Sequence, residues 1–537
     1  MIKSGKKWKI WSVDSLAYLL IIIFIVIFIY LSIERHNALK SYQNDLGVYS
    51  QITWNNLHGH FFESSGSMLA ATLKADGTTD ENHNYLSGHF SPIMLLFVLF
   101  YLFWPDPQVF LIIQSIAVGI GALPIYWLAK EKIKIWWGGL VFLISFLFYP
   151  ILHNALLYDF HEVTFAVPLV TFALWFWHKK RTGWMLFFLA LLFLVQEHTA
   201  LIVFMFGLLL ILKKQNWKLG LGISAVSLTY FFLVLLVFIP AFSASGQSAL
   251  INSEVPEIVA PTRYAWLGSN VNEIAWNIVK HPILILQNMF AFRQVDFFIT
   301  LLLPVFALPL FSSLTILILP VLALYFLSNW ALTYSVYYYH SSLLAGILYF
   351  SAILVFARFF RELKWQKIFL ILILISSLII SYIYSVSPFG KDYSIKDYQP
   401  SENAKYLKEV KKLIPPEASL VVQQNLGPHF ATRRKLFHFP VMLDKADYVV
   451  VDVYNPYADN PKSFYGFSNV REVEYQIWRD SIGNLIDNQD FGVIYDQAEW
   501  LVFQKGADKN LNAKAKQDYL EAIKRLEPTI TFDTRGN

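Results

Sequence analysis

Acidic and imidazole side chains occur in five short stretches that lie far apart in an otherwise apolar sequence. They are Asp45 in "NDLGVYSQITWNNLHG", His89 in "SGHFSPI", Asp159, His161 and Glu162 in "YDFHE", Glu197 and His198 in "QEH", and His340 in "YYYH". Carboxylates and imidazoles transfer protons in general acid–base catalysis. Arg263 and Arg293 add cations that can stabilise a phosphate or another anion. These residue types therefore favour proton transfer combined with anion stabilisation.

Motifs for other chemistries do not accompany these stretches. They contain no HExxH, CxxC or DxD sequence, and the chain has no Walker-type Gly-Lys loop, dinucleotide fingerprint or G-x-S-x-G elbow. The absence of Cys excludes disulfides and thiolate chemistry. Asp, Glu and His are also hard and borderline metal ligands, so a divalent metal stays an open alternative. Residue order alone likewise leaves a Ser-His-Asp arrangement open.

The elements that position these residues are predicted to be membrane-spanning helices. Hydrophobic residues make up 56% of the 537 residues and charged residues 15%, which is typical of a polytopic membrane protein. The net charge of +5 is small and suggests no nucleic-acid partner. The apolar run after the basic N-terminus is too long for a signal-peptide core, so we expect a retained anchor. Eleven spans are predicted, at 14–33, 108–129, 136–152, 163–178, 184–196, 199–213, 219–240, 295–312, 314–330, 341–359 and 367–386.

Five basic clusters test this count. They contain Lys3, Lys6, Lys7 and Lys9; Lys130, Lys132 and Lys134; Lys179, Lys180 and Arg181; Lys213, Lys214 and Lys218; and Arg358, Arg361, Lys364 and Lys367. With eleven spans every cluster lies on one side, which the positive-inside rule identifies as the cytoplasm. A twelfth span at 90–104 would move the later clusters outside, so we expect that short apolar stretch at the outer interface, either as a helix lying on the bilayer or as a re-entrant segment under protein cover. A true short span with one loop that violates the rule is the alternative.

The chain is predicted to divide near residue 390. Residues 1–390 would form the membrane domain, with outer loops at 34–107 and 241–294. Residues 391–537 are richer in charge, begin with the amphipathic stretch "SENAKYLKEVKKLI" and continue with short apolar runs such as "DYVVVDV" and "EWLVF". An odd number of spans places this part outside the cell membrane. We therefore expect an α-helical membrane protein with a C-terminal extracytoplasmic α/β domain.

This topology brings the five chemical stretches to the outer face. Ionisable groups at bilayer depth cost about 2.5–3.5 kcal/mol each on insertion scales, so they persist mainly where they face a cavity or each other. Structural roles are the alternative for each stretch. Asp45 could cap a helix, His89 could bond its turn, "YDFHE" could be a solvated connector, and Glu197 could pair with His198. The tyrosines of "YYYH" are typical of an interfacial aromatic belt.

The layout resembles the GT-C superfamily of membrane glycosyltransferases. The strings "DLGVYSQITWNNLHG", "GHFSPIMLL", "YDFHEVTFAVPL", "QEHTAL" and "YYYHSSLLAGILYFSA" are also similar to a family of predicted bacterial and archaeal membrane proteins of unknown function, over roughly residues 14–390. "HFSPI" is similar to a His-Pro-Pro segment of GT-C enzymes, with Ser91 in place of the first Pro. Where GT-C relatives often carry a Lys before the "QEHTAL" hairpin, this chain has Gln196.

The resemblance implies a sugar transfer from a polyprenyl-phosphate-linked donor to an extracytoplasmic glycan, lipid or protein acceptor. In the superfamily an acid early in the first outer loop acts as base on the acceptor hydroxyl, and Asp45 occupies that position. Substrate-binding roles are then expected for His89, Asp159, His161, Glu162, Glu197, His198, Arg263, Arg293 and His340. A lipid or polysaccharide transporter and a non-catalytic envelope scaffold or sensor are the alternatives.

Overall fold

The computed structural model describes residues 4–66, 83–243, 246, 263–453 and 472–529. The chain divides into two compact units, each assembled from separate stretches of sequence. The first unit comprises Met1–Tyr30, Leu86–Ile93 and Ile112–Tyr393, and the second comprises Leu31–Tyr85, Met94–Leu111 and Ser394–Asn537. Parts of the predicted outer loops, residues 67–82 and most of 244–262, lie outside the described residues. The predicted division near residue 390 stays a prediction.

Apolar helices dominate the chain and confirm a multi-pass membrane protein. In the described residues six helices are long and apolar enough to cross a membrane: Val13–Asn37, Gln108–Lys132, Gly138–Tyr158, Trp217–Phe242, Tyr339–Phe359 and Leu363–Tyr384. Helices Pro282–Met289 and Phe292–Val305 form a pair bent by 52° that could be a seventh span. Shorter apolar helices are Pro92–Tyr101, Glu162–His178, Thr182–Leu192, Thr199–Leu212 and Ser313–Leu327. The predicted total of eleven spans stays a prediction.

Proline residues interrupt the helical region that the sequence predicts as a span over 295–312. The helix Phe292–Leu302 ends just before Pro304, and short 3₁₀ turns follow at Leu303–Val305 and Leu308–Phe311. Pro lacks the N–H that would continue an α-helical ladder, and its ring clashes with the preceding turn. A turn at Phe306 and Ala307, which have positive φ angles of 52° and 53°, separates the two 3₁₀ segments. This stretch is therefore a broken helix and not a continuous one.

The apolar stretch at 90–104 forms a short helix whose first part, Pro92–Phe97, is 3₁₀ and whose last part, Val98–Tyr101, is α-helical. Ten residues with a rise of about 2 Å or less reach at most about 20 Å, which is shorter than the ~30 Å hydrocarbon core. The turn at Pro105 prevents its extension. The length agrees with the expectation that this helix does not cross the membrane, and its position at the outer interface stays a prediction.

The described residues of the second unit form two sheets. The first is a two-stranded antiparallel ladder of β1 (Glu63–Ser64) and β2 (His83–Asn84). The second is mixed and contains β3 (Leu420–Val422), β4 (Leu436–His438), β5 (Tyr448–Asp452), β6 (Phe491–Gln497) and β7 (Trp500–Lys505). The five-stranded sheet has the order β4-β3-β5-β7-β6, with β3 parallel to β4 and β5, and β7 antiparallel to β5 and β6. Helices Leu407–Leu413, Glu472–Asp487 and Asn512–Leu526 accompany it. The prediction of a C-terminal α/β arrangement is confirmed.

Both faces of the five-stranded sheet are buried, because alternate side chains of each strand point to opposite sides. On one face Val449 and Val451 pack with residues of the helices Glu472–Asp487 and Asn512–Leu526, such as Ile482 and Tyr519. On the other face Val450 packs with a cluster that includes Val410 of the helix Leu407–Leu413. The run "DYVVVDV" is therefore a strand covered on two sides, as its unbroken apolar character indicates.

Candidate functional site

A cavity of about 170 Å³ lies inside the first unit, and one end of it is polar. The polar lining residues include His89, Gln196, Glu197, His198, Arg263 and His340. The remaining wall is mainly apolar and includes Phe231, Leu235, Leu267, Ile274, Ile278 and Leu324. Five of the predicted substrate-binding residues, which come from four separate stretches of sequence, therefore share one cavity. A cavity of this kind fits an amphipathic ligand with a polar head and an apolar chain.

Glu197 is the centre of a hydrogen-bonded cluster at the polar end. Its Oε2 accepts from the backbone N–H of Phe90 at 3.1 Å, and its Oε1 lies 3.2 Å from Nδ1 of His89. Nδ1 of His198 lies 3.9 Å from the same Oε1. Burial of the carboxyl opposes ionisation, but the nearby His89 and His198 outweigh it and lower the pKa of Glu197 below its ordinary value. The carboxylate thus ties the residues around His89 to the hairpin that carries Glu197.

Glu162 fixes the same hairpin from another helix. Its Oε1 accepts from the Ser91 hydroxyl at 2.8 Å and from the Gln196 side-chain amide at 2.7 Å. Glu162 is fully buried at the start of the apolar helix Glu162–His178. The residues that depart from the GT-C pattern, Ser91 and Gln196, are therefore the two donors to this carboxylate. A Pro in place of Ser91 has no side-chain donor, and a Lys in place of Gln196 would donate from a charged group. Neither residue could reproduce these two hydrogen bonds from uncharged donors.

His340 lies in a stack of aromatic rings at the wall of the cavity. Its ring is nearly parallel to those of Tyr339 and Tyr338, with centroids 4.2 Å and 5.1 Å away. The Tyr325 hydroxyl donates to the His340 backbone carbonyl at 2.9 Å and lies 3.5 Å from Nε2 of His198. Among the described residues Nδ1 of His340 is buried and has no hydrogen-bond partner. An unpaired buried nitrogen beside a cavity indicates a position for a ligand.

Arg263 supplies a permanent positive charge at the cavity. Its guanidinium lies 4.6 Å from the centroid of the Trp330 ring, in a cation–π contact, and its backbone carbonyl accepts from the N–H of Asn329 at 2.8 Å. Within the part of the chain that the structure describes, no carboxylate forms an ion pair with Arg263. The charge is therefore available to an anionic ligand.

Four predicted substrate-binding residues do not line this cavity, and Glu162, described above, is one of them. Asp159 is buried, and its backbone carbonyl accepts from the Gln114 amide at 3.0 Å. His161 is also buried and stacks on Tyr339 with ring centroids 3.3 Å apart. Through Tyr339, His161 supports the ring stack that contains His340. Arg293 is exposed on the helix Phe292–Leu302 and does not belong to the cavity.

Asp45 belongs to the second unit, whereas the cavity residues belong to the first. It lies in a π-helical turn, Gln43–Gly47, that leads directly into the helix Val48–Leu57. Its side chain is partly buried, and its backbone N–H donates to the Tyr42 carbonyl at 3.3 Å. A one-turn π segment inside a helix is often found at functional sites. The catalytic role of Asp45 stays a prediction.

Among the described residues, His, Asp and Glu side chains form no group of three or more that could hold a metal ion.

Sequence reasoning missed two features at the cavity. Tyr325 and Trp330 are neighbours of His340 that no motif marks. Ile274 and Ile278 of the helix Val271–Lys280 also line the cavity. Their spacing of four residues is an amphipathic pattern that could have revealed this apolar face from the sequence.

Comparison with solved structures shows which fold the chain shares. The crystal structure of ArnT from Cupriavidus metallidurans bound to undecaprenyl phosphate matches with a TM-score of 0.50 and 12% identity, covering 92% of this chain and 98% of that one. The apo state of the same protein matches with a TM-score of 0.47 and 11% identity, covering 90% and 97%. The first match confirms at the level of fold the GT-C resemblance expected from the sequence.

Comparison with curated proteins finds no match. The profile of one family of predicted membrane proteins, DUF2079, matches residues 35–482, which include the Asp45 turn, the cavity residues and three of the five strands of the C-terminal sheet. The chain therefore belongs to the DUF2079 family of predicted membrane proteins.

Proposed function

We propose that this protein is a glycosyltransferase-like membrane enzyme that transfers a sugar from a polyprenyl-phosphate-linked donor to an extracytoplasmic acceptor. The observation that carries the proposal is the cavity of the first unit, where Arg263 and three histidines gather at one end of an apolar wall. A polyprenyl phosphate has the same division between an anionic head and an apolar chain. The GT-C-like fold supports the proposal, because the related ArnT structure was solved with undecaprenyl phosphate.

The electrostatics of the cavity favour a phosphate head. The only carboxylate that lines the described part of the cavity is that of Glu197, and its oxygens already face the Phe90 N–H, His89 and His198. Arg263 can donate two parallel hydrogen bonds to phosphate oxygens. His340 and His198 present further ring nitrogens on the same cavity. During transfer these groups would stabilise the negative charge that develops on the leaving phosphate.

Asp45 is the proposed base on the acceptor hydroxyl. A carboxylate that removes this proton as the sugar carbon is attacked increases the nucleophilicity of the acceptor oxygen. General-base assistance of this kind typically accelerates a reaction by about 10²–10⁴-fold. The assignment rests on the place of Asp45 early in the predicted first outer loop, where GT-C enzymes carry their base. It also rests on the π-helical turn that contains Asp45, because such turns are frequent at functional sites.

The proposed topology has eleven spans, with the N-terminus in the cytoplasm and the C-terminal α/β domain outside. Eleven is reached if the six long helices, the bent pair and four of the five shorter apolar helices cross the membrane, with Pro92–Tyr101 excluded. The charge distribution supports this count, since it leaves all five basic clusters on one side. The wild type has no Cys, so an introduced Lys132→Cys can be labelled selectively. Labelling of that thiol by an impermeant reagent from outside would contradict the topology.

Binding of undecaprenyl phosphate to purified protein in nanodiscs tests the role of the cavity. Arg263→Gln removes a hydrogen-bonded charge pair, which is worth about 1.5–3 kcal/mol, so affinity should fall roughly 10- to 100-fold. Arg293→Gln is the matched control, because Arg293 is exposed and lies outside the cavity. Equal affinities of the two variants would refute the assignment of the cavity to the phosphate head.

A transporter is the second candidate, and the broken helix around Pro304 and Pro309 favours it. Transporters place binding sites at discontinuous helices, and positive φ angles at Phe306 and Ala307 mark such a break here. Mass spectrometry of lipid-linked sugars and envelope glycans with and without the gene separates the two. Altered glycans support the transferase, whereas unaltered glycans with a changed lipid distribution support transport.

A further inference from the structure

The turn that carries Asp45 is attached to the C-terminal part of the chain within the second unit. The backbone N–H of Gln43 donates to the carbonyl of Gln424 at 2.7 Å. The side chain of Gln43 is fully buried and points at three glycines, Gly47, Gly66 and Gly427. A Cβ added to Gly427 would lie 1.7 Å from Oε1 of Gln43, and one added to Gly66 would lie 1.8 Å from its Nε2. Only bare glycine backbone leaves room for this amide.

A second set of contacts is made by Gln51, six residues after Asp45. Gln51 donates from Nε2 to the Ser65 hydroxyl at 2.9 Å and to the Arg433 carbonyl at 3.1 Å. Its Oε1 accepts from the Ser64 hydroxyl at 2.8 Å and from the N–H of Gly66 at 3.0 Å. The amide of Gln51 is thereby saturated by partners from both the first loop and the C-terminal segment. Its helix, Val48–Leu57, cannot rotate without breaking them.

The strand β4 extends this attachment. The Ser65 hydroxyl accepts from the backbone N–H of Leu436 at 2.8 Å and lies 3.0 Å from the Leu436 carbonyl. Nearby, Arg434 forms an ion pair with Glu63 of β1. These contacts join residues more than 360 positions apart in sequence. Through the bond between Ser65 and Gln51 they extend to the helix that follows the Asp45 turn.

We infer that the C-terminal α/β domain is a positioning element for Asp45, and that Gln43 and Gln51 with the glycine slot of Gly47, Gly66 and Gly427 transmit its position to the Asp45 turn. The inference rests on the proposed function for the role of Asp45 in catalysis, but the attachment itself can be measured independently. A buried amide that is enclosed by glycine backbone fixes a turn sterically, because any displacement of the turn drives Gln43 against main-chain atoms.

The direct test measures the geometry of the turn and not catalysis. Asp45→Cys introduces a single thiol into a chain that has none, and its rate of reaction with a maleimide reports the exposure of position 45. Adding Gly427→Ala should displace Gln43 and change this rate severalfold. Gly483→Ala is the matched control in the same unit, because the added Cβ would meet only Tyr519 at an ordinary 3.9 Å. It should leave the rate unchanged.

A third variant separates displacement from general misfolding. Gln43→Ala removes the side chain that the new methyl group would meet, so Gly427→Ala should cause no further change in the rate of thiol modification when it is added to Gln43→Ala. An equal effect of Gly427→Ala with and without Gln43 would mean that Gly427→Ala acts by damaging the domain, and it would refute the contact. Equal rates with Gly427→Ala and Gly483→Ala would refute the attachment.

Turnover of the same variants in an otherwise unaltered chain connects the attachment to chemistry. A misplacement of about 1 Å can cost roughly 10²-fold in rate, so Gly427→Ala should lower kcat by up to that factor with KM for the lipid-linked donor unchanged. A changed thiol rate with unchanged kcat would retain the attachment and refute the catalytic role of Asp45. An inactive wild type would refute the proposed function, while the thiol rates would still decide the attachment.

Discussion

Replacing Glu197 with Gln should loosen the segment Leu86–Ile93 from the rest of the first unit. The carboxylate of Glu197 accepts one hydrogen bond from the Phe90 N–H and one from His89, and both donors lie on that segment. Hydrogen bonds to a charged acceptor contribute about 1.5–3 kcal/mol each. A Gln side chain retains one carbonyl oxygen but presents an NH₂ group to the second donor, so one of the two bonds is lost. We therefore expect a loss of about 1.5–3 kcal/mol in the free energy of local opening.

Hydrogen exchange measured by mass spectrometry reports this opening peptide by peptide. The expected loss corresponds to exchange that is roughly 10- to 100-fold faster in peptides covering residues 86–93. The Ile93 N–H donates to the Leu194 carbonyl at 2.8 Å. The Ile93 end of the segment should therefore remain better protected from exchange than the other end. Glu131→Gln serves as the control, because Glu131 forms half-exposed ion pairs with Lys179 and His178 that contribute little.

The pH dependence of the same segment has a definite sign. Burial acts against the charge of Glu197, but His89 and His198 hold its pKa below the ordinary value of 4.5. The carboxylate therefore stabilises the folded segment above about pH 4.5, and this contribution is lost as the pH falls through the lower, folded-state pKa. Unchanged exchange of residues 86–93 in Glu197→Gln would show that the cluster does not hold the segment, and the reasoning from its hydrogen bonds would be wrong.

Two further predictions concern the second unit. Asp45→Asn should reduce turnover, measured by product formation, by about 10²–10⁴-fold. Expression and membrane insertion should stay normal, because the amide keeps an acceptor oxygen. Full activity of a correctly inserted variant would direct the search for the base to Asp159, Glu162 or Glu197. Burial lowers the pKa of His438 to about 4, so the unfolded chain binds more protons than the folded one between about pH 6.5 and 4. The contribution of His438 to the stability of the C-terminal domain should be complete above about pH 6.5 and fall toward pH 4. Limited proteolysis should show a weaker fall in His438→Gln. Identical pH profiles of the two proteins would show that His438 does not cause the pH dependence.

Several residues that the sequence singled out lie together in the structure, whereas one helix that it predicts is broken, and the functional roles of these residues stay predictions. His89, Glu197, His198, Arg263 and His340 share one cavity because ionisable groups in apolar surroundings must face each other or a ligand. Arg293, by contrast, is exposed. The sequence could not indicate this, because an Arg residue carries the same charge whether it faces a cavity or solvent. The continuous span expected at 295–312 is broken, because hydropathy averages over Pro304 and Pro309 without registering their missing N–H groups.

The C-terminal domain shows a similar limit. The runs "DYVVVDV" and "EWLVF" are strands, as their β-branched and aromatic residues predict. The strand Leu436–His438 escaped prediction, because three residues carry too little pattern to separate a strand from a loop. The partners of Gln51 were also invisible, since nothing local in the sequence connects it with Arg433.

The discontinuous make-up of the second unit has a consequence for how the protein is made. Gln51 and its partner Arg433 are separated by 382 positions, so the first loop leaves the ribosome long before the residues that complete its hydrogen bonds. At about 5–20 residues per second this delay is roughly 20–80 s. During that interval the polar groups of Gln51, Ser65 and the β1 hairpin are without their C-terminal partners. A chain truncated after the last apolar helix would therefore insert its spans but leave the first loop unfinished, which makes it a substrate for quality-control proteases despite a complete membrane domain.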